Sequence, residues 1–103
     1  MIDWNRVSEL REEIGAADFE EVAVMFLEEV DSVISRLKSQ PDPARLEEDL
    51  HFLKGSALNI GFQRVGELCR ETEPLAARGA LHPTALAPIF QAYTLSKSEF
   101  AAR

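Results

Sequence analysis

The chain has 103 residues, of which 46% are hydrophobic and 28% charged, values typical of one soluble domain spanning residues 1–103. Its 18 acidic against 11 basic residues give a formal net charge of -7, which argues against nucleic acid as a partner and suits a soluble monomer. No signal-like leader and no run of about 18 apolar residues is visible, so the sequence predicts a cytoplasmic protein that does not enter a membrane.

Apolar residues recur at three- and four-residue spacing, which indicates helices, and no stretch alternates as a half-buried strand would. The first predicted helix runs from about Asp3 to Ile14 and ends at Gly15, a residue suited to a left-handed C-cap. The second opens on Asp18 and Glu21, the D-x-x-E pattern of a capping box. Its predicted apolar stripe is Phe19, Val22, Phe26, Val30, Val33 and Leu37.

A third helix is predicted to begin at Asp42 and Pro43, an N-cap followed by a proline in the first turn, and to end at Gly61. Its stripe is Leu46, Leu50, Leu53, Ala57 and Ile60. The fourth helix should turn Val65, Leu68, Thr72 and Leu75 inward. Pro74 is expected to bend or shorten this helix.

The last helix is predicted to begin near Pro83 or Thr84, with Leu86, Phe90, Tyr93 and Phe100 along its stripe. Short connections make sequential helices antiparallel neighbours. The sequence therefore predicts an all-α fold, an antiparallel four-helix bundle with a short additional N-terminal helix capping one end.

The third helix carries the most informative residue, His51. Taking about 100° per residue, the apolar stripe centres roughly 140° away from it, so the imidazole should point out of the bundle. Within roughly 60° of His51 on the same helix wheel lie Glu47, Glu48, Lys54, Gly55 and Leu58. This grouping predicts that these residues form a functional surface around an exposed histidine.

These residue types suit a histidine that reacts with phosphorus. A neutral imidazole offers a lone pair on one nitrogen near neutral pH. Lys54, one turn onward, can place an ammonium against phosphoryl oxygens. Gly55 removes a side chain that would cover the ring, at a cost of roughly 1 kcal/mol relative to alanine.

From His51 to Gly61 the sequence reads H-F-L-K-G-S-A-L-N-I-G. This stretch resembles the signature of histidine phosphotransfer domains, H-x-L-K-G-S-[AS] with a Gly four positions later, and the helix order resembles that family's bundle over nearly the whole chain. The resemblance implies a phosphocarrier rather than an enzyme. It would take a phosphoryl group on His51 from the aspartate of one receiver domain and pass it to another.

The resemblance also implies roles for the surrounding residues. Lys54 would neutralise phosphate, and Gly55 would admit the receiver's active site. Family members often hold the ring with a polar residue of the following helix, commonly Gln; by spacing the candidate is Glu73, a departure from that pattern. Arg78, near the end of the same helix, is a candidate phosphate contact. The expected partner-binding residues are Glu47, Glu48 and Leu58.

The partners so implied are receiver domains of response regulators or of hybrid histidine kinases. Transfer would depend on the receiver and its magnesium ion, with no cofactor and no metal site in this chain. An adaptor that binds response regulators without carrying phosphate is the alternative, and only phosphorylation of His51 separates the two.

Two other classes fit less well. Glu48 and His51 form an E-x-x-H pair, the ligand spacing of di-iron bundles, but such sites need a second pair and two further inward carboxylates. The only other histidine, His82, precedes Pro83 and reads as a residue that starts a helix. A sensor-kinase helical hairpin would normally accompany an ATP-binding domain, and the sequence has no Gly-rich nucleotide site.

Two residues in or near the motif are expected to have structural rather than catalytic roles. Ser56 points away from His51 on the wheel and is expected to ease helix contact rather than act as a catalytic hydroxyl. Cys69, the only cysteine, is expected to behave as a small buried hydrophobe without a redox role.

Overall fold

The structure is a computed structural model that describes residues 1–102. Its five α-helices are α1 (Trp4–Ile14), α2 (Ala16–Ser39), α3 (Leu46–Ile60), α4 (Gln63–Ala77) and α5 (Ala87–Ala101). Short 3-10 turns, Pro43–Arg45 and Pro83–Leu86, lead into α3 and α5. The predicted all-α bundle is confirmed. Across residues 1–102, no helix is both long enough and apolar enough to span a bilayer.

The junction between α1 and α2 differs from the predicted one. Asp3 caps α1 as expected, its carboxylate accepting from the backbone N–H groups of Asn5 and Arg6. Gly15, at φ 98°, ends α1 and is also the N-cap of α2, so α2 begins at Ala16. Asp18 therefore lies inside the first turn, and the predicted capping box is wrong because the glycine leaves no linker for it.

The turn between α3 and α4 depends on Gly61. It adopts a left-handed conformation at φ 90°, and a Cβ there would lie 2.8 Å from the Asp3 carbonyl oxygen, so only glycine fits. The Asp3 N–H donates to the Gly61 carbonyl at 2.7 Å. This bond ties the start of the chain to the α3–α4 hairpin that carries His51.

Prolines lie near several of the helix ends. Pro74 lies inside α4, which continues for three residues beyond it to Ala77. Asp42 caps the 3-10 turn at Pro43–Arg45, and α3 follows from Leu46. The side chain of His82 caps the second 3-10 turn by accepting from the Thr84 N–H, in agreement with its reading as a residue that starts a helix.

The core follows the predicted α3 stripe, whose five residues are all buried. The stripe of α4 is rotated from the prediction, because Val65, Gly66 and Cys69 are buried while Leu75 is 37% exposed. Gly66 and Cys69 contribute little to a search for large apolar residues at helical spacing. Such a search therefore places Leu75 on the buried face instead.

Polar pairs fix α2 against its neighbours. Arg36 of α2 forms a two-pronged ion pair with the buried Asp49 of α3, at 2.8 and 2.7 Å. Asp31 of α2 accepts from the Tyr93 hydroxyl at 2.6 Å and from Lys97 at 2.7 Å, both on α5. The first pair joins α2 to α3, the helix that carries His51, and the second joins α2 to α5.

Candidate functional site

His51 lies in the middle of α3 with 72% of its side chain exposed. Its neighbour Leu50 is fully buried, and Leu53 is nearly so. Because α3 buries that stripe, the imidazole is carried on the outer surface of the bundle, as the helix wheel predicts.

The Glu73 carboxylate of α4 binds the Nδ1 edge of the ring. Nδ1 of His51 is 2.7 Å from Glu73 Oε1. An ionised carboxylate only accepts hydrogen bonds, so Nδ1 carries the proton and donates. The lone pair of the neutral ring is then on Nε2, which has no hydrogen-bond partner within residues 1–102.

The same carboxylate also binds Lys54. Lys54 Nζ donates to Glu73 Oε2 at 2.6 Å, and only 17% of the Glu73 side chain is exposed. The Lys54 hydrogen bond, assisted by that of His51, lowers the pKa of Glu73 against the opposing effect of burial. Glu73 is thus an anion shared between a cation and an imidazole N–H.

Close packing of α4 on α3 brings Glu73 within reach. A Cβ built on Gly66 would lie 2.7 Å from Leu58 Cγ, so with any other residue the Leu58 side chain would have to move or the helices to separate at this level. Contacts of Leu58 with Gly66 and of Lys54 with Glu73 define an antiparallel register. Sequence reasoning missed Gly66, although an unexplained glycine inside a helical pattern was the available signal.

Gly55 has no such packing role. A Cβ built there meets nothing within 4 Å, so the fold would accept a larger residue. Open space lies over the helix backbone one turn beyond His51.

The other predicted residues are spread along this surface. Glu47 and Glu48 are exposed in the first turn of α3, and Leu58 is half-buried against Gly66. Arg78 is exposed at the C-cap of α4 and takes no part in the hydrogen bonds that join His51, Lys54 and Glu73. The structure therefore assembles three predicted residues into one network and leaves Arg78 outside it.

Cys69 lies beneath this network. It is fully buried, and burial together with the Glu73 charge raises the pKa of its thiol to about 12. The thiol is neutral and inert at ordinary pH, in agreement with its reading as a small hydrophobe.

No group of three or more His, Cys, Asp or Glu side chains is arranged to hold a metal ion within residues 1–102. The pair Glu48 and His51 has no second pair beside it. The site therefore offers charge and hydrogen bonds from Lys54 and Glu73 around a solvent-facing imidazole nitrogen.

An all-α bundle that displays a histidine in this way, with a lysine one turn onward and a glycine beside it, has the character of a phosphohistidine carrier. Comparison with protein families agrees: the model of the Hpt domain matches residues 21–95. The chain belongs to the histidine phosphotransfer family, whose members are phosphocarriers of phosphorelays and interact with receiver domains. No curated protein and no solved structure matches it significantly.

Proposed function

We propose that the protein accepts a phosphoryl group on Nε2 of His51 from the aspartyl phosphate of one receiver domain and passes it to the aspartate of another. The observation that carries this proposal is the hydrogen bond from Nδ1 to Glu73, which leaves the lone pair of Nε2 facing solvent on a largely exposed ring. A nucleophile held in one tautomer and one orientation needs no rearrangement before attack.

The transfer balances without a net proton change. The Nε2 lone pair attacks phosphorus, the bond from phosphorus to the aspartyl oxygen breaks, and the aspartate leaves as a carboxylate. The ring keeps its proton on Nδ1 and becomes cationic, and Glu73 at 2.7 Å compensates that charge. Transfer to a second aspartate is the same reaction reversed.

Lys54 and Gly55 serve the arriving group in different ways. The Lys54 ammonium has three donors, of which Glu73 takes one, so others can meet phosphoryl oxygens. The open space at Gly55 admits the loop that carries the receiver's aspartate. Leu58, one turn beyond this opening, and Glu47 and Glu48, in the first turn of α3, are the docking residues, and Arg78 is a more distant cation on the same hairpin.

We infer that the magnesium ion needed for transfer belongs to the receiver, since the residues around His51 do not form an oxygen cage. Labelling should therefore require a phosphorylated receiver. Magnesium and ATP alone should label nothing, and labelling under those conditions would contradict this dependence.

The test is incubation with a radiolabelled phosphorylated receiver, followed by detection of acid-labile, alkali-stable label. His51→Gln should accept none, while His82→Gln, which changes the only other histidine, should accept as much as the parent. Circular dichroism should show equal helicity, because His51 is outside the core. Label retained on His51→Gln would refute the assignment, and a bound receiver without label would favour the adaptor.

A further inference from the structure

Arg70 lies on α4 between the two points at which that helix touches the outer edge of α3. Gly66 meets Leu58, and Glu73 meets His51 and Lys54. Residues four and seven positions apart share a helix face, so Arg70 lies on the same stripe as Gly66 and Glu73. Unlike them it is exposed.

The direction of its side chain follows from helix geometry. Side chains lean towards the N-terminus of their own helix, and the N-terminus of α4 is at the Leu58 end of α3. The Cβ of Arg70 is therefore directed towards the Leu58 end of α3 and away from the His51 end. Arg70 stands between the contact of Gly66 with Leu58 and the contact of Glu73 with Lys54, which is the level of Gly55 on α3.

Its charge is not used within the described part of the chain. Glu67 and Glu73, one turn away on either side, bind Arg64 and Lys54 instead. Within residues 1–102 no carboxylate lies within ion-pair distance of Arg70. In an acidic protein of net charge -7, an unpaired arginine beside a half-buried leucine and an open backbone has the composition of an interface rim.

We propose that Arg70 is a docking residue that pairs with a carboxylate on the receiver's docking surface, next to apolar residues that cover Leu58. This rests on the proposed function and names one contact that selects the partner. A guanidinium binds a carboxylate through two parallel hydrogen bonds. With Glu47 and Glu48 at the opposite end of the surface, Arg70 makes the surface dipolar, so that a receiver binds in one orientation.

The test uses the receiver that labels the parent protein fastest, and compares Arg70→Glu with Arg64→Glu. Both changes alter the net charge equally, and both residues are exposed on α4, but Arg64 is off the stripe. Calorimetry gives the dissociation constant, and single-turnover transfer at increasing protein concentration gives the half-saturation concentration and the maximal rate.

Arg70→Glu should raise the dissociation constant and half-saturation by about five- to tenfold, leave the maximal rate within about twofold, and lose most of this effect at high salt. Arg64→Glu should change binding by less than about twofold. Arg70→Lys keeps the positive charge but cannot form the two parallel hydrogen bonds of a guanidinium. Its dissociation constant should lie between those of the parent and Arg70→Glu.

Equal weakening by Arg70→Glu and Arg64→Glu would overturn the proposal, because net charge alone would then account for both. A lower maximal rate with unchanged binding would overturn it too. Failure of every receiver to label the parent would instead refute the proposed function, so the two failures are distinguishable.

Discussion

A single carboxylate at position 73 performs two tasks, one with each oxygen. Oε1 accepts a hydrogen bond from the Nδ1–H of His51, and Oε2 accepts one from the ammonium of Lys54. An amide in this place could accept from only one of the two, and when its oxygen bonds Lys54 its nitrogen faces Nδ1 and favours the tautomer with the proton on Nε2. The glutamate thus links the position of Lys54 to that of the imidazole.

Glu73→Gln tests this link. Nitrogen NMR of the imidazole should show the proton confined to Nδ1 in the parent and shared between the two tautomers in the variant. Since the Lys54 and His51 hydrogen bonds lower the pKa of Glu73, the stabilisation they provide is present above the unfolded value, near 4.5, and disappears as pH falls through the folded pKa.

The unfolding free energies of parent and Glu73→Gln should therefore differ most above pH 4.5 and converge in stronger acid. Glu71→Gln controls for the loss of one negative charge, because Glu71 is exposed on the same helix. An unchanged ring tautomer in Glu73→Gln would show that the carboxylate does not orient His51.

At the level of helices, two glycines on facing elements have opposite reasons to be glycine. Gly66 of α4 has no room for a Cβ because Leu58 fills the space, whereas Gly55 of α3 has room and nothing in it. The first is explained by folding. Gly55 destabilises the interior of α3 and makes no packing contact in return. This favours a functional explanation for Gly55.

Alanine at these positions should change stability in opposite directions. Gly55→Ala should stabilise the protein by about 0.5 to 1 kcal/mol. Gly66→Ala should destabilise it, because crowding against Leu58 costs about 1 to 3 kcal/mol and exceeds the same gain in helix propensity. Urea unfolding measures both. Adding Leu58→Ala should restore much of the loss in Gly66→Ala, which ties that loss to this contact.

Gly55→Gln extends the comparison to function. It should be at least as stable as the parent yet transfer phosphate much more slowly, because its side chain occupies the opening beside His51. Normal transfer by a stable Gly55→Gln protein would contradict the clearance role.

The sequence predicts α3 well because its stripe of leucines and isoleucine has one clear helical period, ended by a glycine with positive φ. It predicts α4 less well, since the packing of α4 depends on Gly66 and Cys69, whose small side chains matter for what they leave room for. Glu73 could be selected by spacing, but its bond to Lys54 depends on the interhelical distance, which no local pattern encodes.

Across the whole molecule, the site is held by contacts remote from it. The ion pair of Arg36 with Asp49 attaches α3 to α2, and the Asp31 contacts attach α2 to α5. Lys38 over the Phe90 ring extends the α2–α5 contact towards the other end of α5. These contacts hold α3 against α2 and α2 against α5, so the α3–α4 hairpin is fixed from the side opposite His51. The surface that carries His51 remains exposed to solvent.

Buried ionisable groups make this support sensitive to alkali. Cys69 is fully buried with a thiol pKa raised from 9.0 to about 12, and burial beside Asp31 raises the pKa of Tyr93 as well. A group whose pKa is raised on folding stabilises the native state below its unfolded pKa, and that stability is lost as pH rises through the folded value. The window for Cys69 therefore opens near pH 9, and Tyr93 adds to it from about pH 10.

In the parent, the free energy of unfolding should fall with pH between about pH 9 and pH 10, with a slope that approaches about 1.4 kcal/mol per pH unit as the unfolded thiol ionises. Cys69→Ala should make this slope smaller. The alanine also removes buried volume, so the slopes of the two proteins are compared rather than their absolute stabilities. Urea unfolding at closely spaced pH values, with circular dichroism as the probe, measures both slopes. Equal slopes for parent and variant would mean that the thiol ionises as readily in the folded protein as in the unfolded chain. Packing of α4 would then not exclude water from Cys69.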